Sequence, residues 1–349
     1  MYLLNLGKIP GQQSMLVFHA LARLGFEGLV LVSPKVPLVS VGYFQDTEAE
    51  IDLEYCAREE IPVMRREVGG GATYLDENQI FYQVIYDKNN PMAPMKISEI
   101  YEWFSQAPVE TYREFGIETS FRHVNDIVTK EGRKIAGEGG GDIGDSRVFV
   151  GGILMDFDYE TMSKVLKVPD EKFRDKVFKT MEENLTTIKK ELGVIPPRDE
   201  VKRVLVEKFE KLMGALEPVS LTNDVIGKML ELEKWFTSPE FLFKKTPRIP
   251  KGVKIKEGVE ILYTMYKARG GLIRTAQEVE NKRFRDIAIS GDFTMFPREA
   301  LSGLESELKD VPRKGGLVKP TIEKFYEKEG VESPGVTSED YLKAMKIEE

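Results

Sequence analysis

The chain has 349 residues, 41% hydrophobic and 31% charged, with a formal net charge of −8; this is long enough for two packed domains and too ionic for a membrane-embedded protein. A mean hydropathy of −0.30, with no basic leader and no apolar stretch long enough to span a bilayer, predicts a cytoplasmic protein without a membrane partner. One cysteine and two histidines exclude an internal disulfide and a cysteine- or histidine-rich metal site, and the acidity argues against nucleic acid, which leaves a small anionic substrate in a pocket and any metal held by oxygen.

From the N-terminus, Gln12 to Leu24 places Met15, Leu16, Phe18, Leu21 and Ala22 on one wide apolar face and predicts a helix closed by Gly25. Gly28 to Ser33 and Pro37 to Tyr43 predict strands, and Asp46 and Thr47 cap a helix carrying Ile51, Leu53, Tyr55 and Cys56. Ile61 to Arg65 is a short strand leading into Gly69, Gly70 and Gly71, and alternation over Gln79 to Tyr86 predicts another strand beyond that turn. Helices follow at 97–115, 170–192, 198–213 and 221–235, with strands at 127–128 and 148–155. The order is mixed α+β, without strict βαβ alternation. Pro239, Pro247 and Pro250 among basic residues predict a linker over 237–252, between a catalytic domain at 1–236 and a smaller α+β domain at 253–349. That second domain reads as a meander of strands at 259–266, 272–279 and 283–290, followed by helices at 298–308, 321–329 and 338–345.

The chemistry concentrates in two blocks. In the first, Arg65 and Arg66 precede the glycine triplet, a turn whose amides can approach an anion while guanidiniums bind carboxylate or phosphate. Side chains of neighbours on a strand point to opposite faces, so one of the two arginines is expected to be structural. The turn runs between strands and lacks the lysine and hydroxyl of a P-loop or the spacing of a Rossmann motif. The second block is Asn125, Asp126, Arg133, Lys134 and Gly137. Here Lys134 is placed to neutralise a phosphoryl oxygen and a developing oxyanion together, and Asp126 offers a hard oxygen ligand for magnesium or else a simple turn cap. Gly137 to Gly144 is expected to be either a mobile loop that orders over a ligand or a plain connection. Cys56, within an apolar helical pattern, is expected to be a buried inert thiol. His19 is assigned to packing and His123 carries little functional weight.

Together the two blocks resemble the biotin and lipoate protein ligase superfamily, and within it the lipoate-protein ligases. Arg65, Arg66, Gly69, Gly70, Gly71 and Asp76 match the family's first motif, and Asn125, Asp126, Arg133, Lys134 and Gly137 match its second; Gly271 to Arg274 and Ile289 to Phe293 resemble the accessory domain. The resemblance implies a mixed-sheet catalytic domain that activates lipoate or octanoate with ATP and magnesium, then passes the acyl group from acyl-AMP to a lysine. The acceptor it implies is a lipoyl carrier protein, a glycine-cleavage H-type protein or a 2-oxoacid dehydrogenase E2-type domain. It further implies that Lys134 contacts the carboxyl and α-phosphate oxygens, Arg66 a phosphate, the glycine turn the acyl-adenylate, and Asp126 the magnesium. The accessory domain is then expected to move between the two steps, hinged at Gly252 and the prolines before it. Two departures stand out: Glu138 to Gly141 where relatives carry a Ser-Ala or Ala-Gln run, and Val150, Gly151, Gly152 in place of a His-Gly-Thr. The rival functions are an octanoyl or lipoyl transferase of the same fold, which requires a cysteine nucleophile, and a noncatalytic binder of an acyl carrier; a biotin ligase is disfavoured because its Gly-Arg-Gly-Arg turn is missing.

Overall fold

A computed structural model describes residues 1–94, 96–247 and 259–348. Its centre is a six-stranded mixed sheet in the order Gly139–Ile143, Ser146–Leu154, Gln79–Asp87, Gly28–Pro34, Tyr2–Ile9 and Glu217–Pro218. The first four strands pair antiparallel and the last three parallel. Gly28–Pro34 and most of Gln79–Asp87 are buried on both faces, so both faces need cover. The helix Gly11–Arg23 packs on one face, with Asn223–Phe236 beside it, and Ile97–Glu114 with Arg198–Met213 pack on the other. Among the described residues no helix is long and apolar enough to cross a membrane.

Two small sheets carry the motif blocks. Val63–Arg65 and Thr73–Leu75 pair on opposite sides of Leu38–Val41, so the chain between them crosses over the end of that strand as the glycine turn. Thr119–Arg122, Asp126–Thr129 and Lys134–Gly137 form an antiparallel meander that delivers the second block.

Several expected elements divide or shift. The single helix anticipated after Asp46 is two short ones, Thr47–Glu50 and Leu53–Arg58, each opened by an aspartate, Asp46 and Asp52, that accepts from a backbone amide. The helix expected at 170–192 breaks into Glu171–Asn184 and Ile188–Leu192, because Thr187 starts a new cap. Gly137 to Gly144 is not a loop: Gly139–Ile143 is a strand fully registered against Ser146–Leu154.

The C-terminal meander is as expected, Val259–Ala268, Gly271–Glu280 and Arg283–Gly291, and its second turn places Asn281 and Lys282 at positive φ. The helices Gly315–Glu329 and Ser338–Met345 follow, the first starting at Gly315 instead of the expected Thr321. These C-terminal elements pack against the six-stranded body in one shared apolar cluster, where Phe44 stacks on Phe293 at 5.1 Å, a pair worth roughly 0.5–1.5 kcal/mol beyond the area it buries. The first part of the expected linker is also docked: Pro239–Leu242 is a short helix with Phe241 buried. Pro250 and Gly252, the expected hinge, lie outside the described residues.

Candidate active site

The arginine pair divides its labour between two sets of partners. Arg65 is fully buried and gives all its donors to the protein: Nε to the Phe241 carbonyl, one terminal nitrogen to the Gly42 and Tyr43 carbonyls, the other to Thr47 Oγ1 and the Leu242 carbonyl. It does not line the cavity, and so the substrate contact expected of it is replaced by a clamp that ties three segments together. Arg66 lines the cavity but holds the glycine turn, donating to the carbonyls of Ser40, Gly69 and Gly71 at 2.9, 2.8 and 2.7 Å. Burial lowers both guanidiniums, to about 10. The turn itself needs glycine: Gly70 has φ +88°, and a Cβ on Gly42 would stand 1.9 Å from the Gly70 carbonyl oxygen. Gly69 abuts Thr294 and Phe293 of the C-terminal domain instead of the cavity.

Asp76 is likewise not on the cavity wall; its carboxylate accepts from the Asn78 amide and side chain, and burial raises its pKa from the ordinary value. Just before the turn, the buried Glu67 takes Arg23 of the first helix and Arg298 of the C-terminal domain, with His19 Nε2 accepting the Glu67 amide. Burial opposes ionisation of Glu67, but the Arg23 and Arg298 guanidiniums outweigh it and hold the carboxyl down to about 2.

The second block forms the opposite wall. Lys134 Nζ is 2.6 Å from Asp126 Oδ1, and Arg122 is 2.8 Å from Asp126 Oδ2. Burial would raise the Asp126 carboxyl, yet the two cations hold it below its ordinary value. A Cβ on Gly137 would sit 2.7 Å from Lys134 Nζ, so a side chain there would push the ammonium from its present place. Asn125 secures the end of the strand, donating to the Glu138 carbonyl while its own carbonyl accepts the Glu138 amide.

Beyond Gly137 the two unusual segments meet. Gly139 pairs with Val150 and Gly151 with Tyr82 across the sheet. A Cβ on Gly151 would lie 2.3 Å from the Tyr82 hydroxyl, and through this gap Tyr82 donates to Glu138 Oε1 at 2.9 Å. Glu138 Oε2 touches the Ser105 hydroxyl, which also contacts the Tyr101 carbonyl. A hydroxyl has one hydrogen and a carbonyl only accepts, so sharing all these contacts favours a protonated acid. Burial, opposed only in part by Ser105 and Tyr82, pushes the Glu138 carboxyl up to about 8.

Between the blocks lies a cavity of about 540 Å³. Of the site residues expected from sequence, Arg66, Gly70, Gly71, Asn125, Lys134 and Gly137 line it; Arg65, Gly69, Asp76 and Asp126 do not. Met15, Phe18, Leu75, Phe81 and Val150 supply apolar wall, and Met181 and Leu185 close another side. Leu185 is followed by Thr186, whose amide donates to the Lys134 carbonyl.

Both oxygens of Asp126 are engaged by cations, and among the described residues no three His, Cys, Asp or Glu side chains are placed together to hold a metal ion. A magnesium ion arriving with a nucleotide needs only one or two protein carboxylates, and at Asp126 it would share the carboxylate with the lysine and the arginine already there or displace them.

A model of the lipoyl protein ligase A/B catalytic domain matches residues 18–210, a span that contains both blocks. The chain belongs to this family. Among its relatives, the lipoate-protein ligase A subunit 1 of Thermoplasma acidophilum is 29% identical over 214 residues, 56% of this chain and 79% of the relative. The octanoyltransferase LipM of Geobacillus kaustophilus is 28% identical over 233 residues, 60% of this chain and 84% of the relative. Among solved structures, that of a bi-partite lipoate protein ligase and its E2 lipoyl domain from Thermoplasma acidophilum superposes with a TM-score of 0.62 at 27% identity, covering 71% of this chain and 98% of the other. The chain is thus an enzyme of the lipoate ligase and transferase family, with relatives of both activities.

For a lipoyl ligase-family member, two wall residues were not singled out as site residues from sequence. Arg122 lines the cavity mouth, but its only sequence signal is a position three residues ahead of Asn125. Glu138 was visible as a departure, although nothing in the sequence indicated that its side chain turns beneath the sheet. Cys56 is where its pattern put it: buried in a separate apolar cluster with Val39, Val41 and Tyr74, off the cavity wall, its thiol pushed up to about 11 by burial.

Proposed function

We propose that this chain is a lipoate-protein ligase that joins lipoate or octanoate to ATP as acyl-AMP and transfers the acyl group to a lysine of a lipoyl carrier protein. The observation that carries the reading is the composition of the cavity wall: it offers the ammonium of Lys134 and no thiol, while Cys56 is buried elsewhere with a raised pKa. A thioester transferase needs a thiolate at the reacting carbon; an adenylating enzyme needs a cation and preorganised amides where phosphate and carboxylate meet.

In this reading the acyl chain occupies the apolar wall near Met15, Phe18 and Phe81. Lys134, held by Asp126 and given room by Gly137, neutralises a carboxylate oxygen and an α-phosphate oxygen. The carboxylate oxygen attacks the α-phosphorus, the bond to the bridging oxygen breaks, and pyrophosphate leaves with the electron pair. The acceptor amine then adds to the acyl carbon and AMP departs. Gly70 and Gly71 present backbone to the adenylate, and Arg66 acts by fixing their turn. ATP brings magnesium with it, which would neutralise phosphate charge, but no step is assigned to a protein-bound metal. An E2-type lipoyl domain is the acceptor by analogy with the Thermoplasma ligase.

The test is pyrophosphate release with ATP, magnesium and lipoate, octanoate or biotin, followed by mass measurement of an E2-type lipoyl domain. Acid-dependent release and a modified carrier are expected. Acyl transfer from an octanoylated carrier without ATP, and no release with any acid, would move the chain to the transferase activity instead.

A further inference from the structure

Both arginines of the first block are committed to the protein. The Arg65 donors are spent on carbonyls and Thr47, and both terminal nitrogens of Arg66 bind the Ser40, Gly69 and Gly71 backbone. A triphosphate carries several negative charges, and Lys134 alone serves the reacting α-phosphate. The remaining guanidinium on the wall is Arg122. It lies half-exposed at the mouth, bonded through one nitrogen to Asp126 Oδ2 and weakly through another to the Gly132 carbonyl at 3.4 Å. Its other donors have no partner among the described residues. Asp126 presents one oxygen to Lys134 and the other to Arg122, setting the two cations on either side of one carboxylate.

We propose that Arg122 holds the pyrophosphate leaving group of ATP during adenylation, an inference that rests on the ligase reading above. In the ligase reading Lys134 meets the carboxylate and the α-phosphate, and Arg122, on the other oxygen of Asp126 and more exposed than Lys134 (51% against 39%), is placed to take the β- and γ-phosphates. Guanidinium suits this position because its planar fork engages two phosphate oxygens at once. Asp126 keeps the fork oriented before ATP arrives. The role is confined to the first step, since in the second the leaving group is AMP and no pyrophosphate is present.

This separation makes the test. In Arg122→Gln the KM for ATP should rise and pyrophosphate exchange should fall, each roughly tenfold to hundredfold as for loss of a charged hydrogen-bond pair. The KM for lipoate and the transfer of lipoyl from preformed lipoyl-AMP to the carrier should stay within about twofold of the unmodified enzyme, a margin of roughly 0.5 kcal/mol expected of exposed positions. Arg122→Lys should recover part of the ATP affinity, and the melting temperature should hold because the side chain is exposed. An unchanged KM for ATP overturns the proposal. So does an equal loss in both half-reactions, which would show that Arg122 only props Asp126 and Lys134. If the unmodified protein exchanges no pyrophosphate with any acid, the ligase reading fails by itself; calorimetric binding of inorganic pyrophosphate to the unmodified and Arg122→Gln proteins then still decides the inference, equal binding overturning it.

Discussion

Replacing Glu138 by glutamine tests whether the wall contains a neutral acid. The structure places this carboxyl under Tyr82 and against Ser105, with its pKa pushed up to about 8 from an ordinary 4.5. The sign follows from proton counting. Between those two values the folded protein binds a proton that the unfolded chain has lost, so stability falls as pH rises through that window and the loss is complete above about 8. With these pKa values the loss from pH 6 to pH 8 is roughly 2 kcal/mol, on a maximal slope of about 1.4 kcal/mol per unit. Glutamine keeps the shape and one acceptor without titrating, so Glu138→Gln should lack this slope and become relatively more stable as the medium turns alkaline. Urea melts of both proteins at pH 6, 7 and 8 measure it. Parallel stability curves for the two proteins would refute a neutral Glu138 and with it the hydrogen assignment at Ser105.

Lys134→Ala should reduce acyl-AMP formation by roughly 10²–10³-fold or more while the fold survives, because the ammonium lies at the cavity mouth; single-turnover adenylation and circular dichroism check both halves. Cys56→Ser should leave adenylation and transfer unchanged, as the thiol is off the cavity wall; an inactive but folded variant would restore a cysteine mechanism. Arg65→Met should cost more than about 3 kcal/mol, since the clamp leaves several buried carbonyls without a donor, and a denaturation midpoint close to that of the unmodified protein would show that the segments hold together without it.

The α+β class, the C-terminal meander and the sense of both motif blocks were legible because they rest on local signals. Glycine runs, alternation over Gln79 to Tyr86, and the Asn281 and Lys282 turn are all written within a few residues. The errors arose where distant groups decide. Gly139–Ile143 looked like a loop by composition, yet it is a strand whose glycines let Val68 and Tyr101 approach closely. The proline-rich run after Phe236 suggested a free linker, whereas Phe241 and the Arg65 clamp bind its first turn to the body.

Sequence alone determined which chemical groups this protein can bring to a site: an arginine pair before a glycine turn, a lysine spaced three residues from a glycine, and a single cysteine in an apolar helix. Only the tertiary structure decided that both arginines of the pair are consumed by backbone carbonyls, that Gly151 opens the gap through which Tyr82 reaches Glu138, and that Arg122 is left at the cavity mouth with donors to spare. Those outcomes depend on which carbonyls and hydroxyls arrive from strands and helices far away in the chain, and the balance of burial against hydrogen bonding that sets a charge exists only once they are packed together.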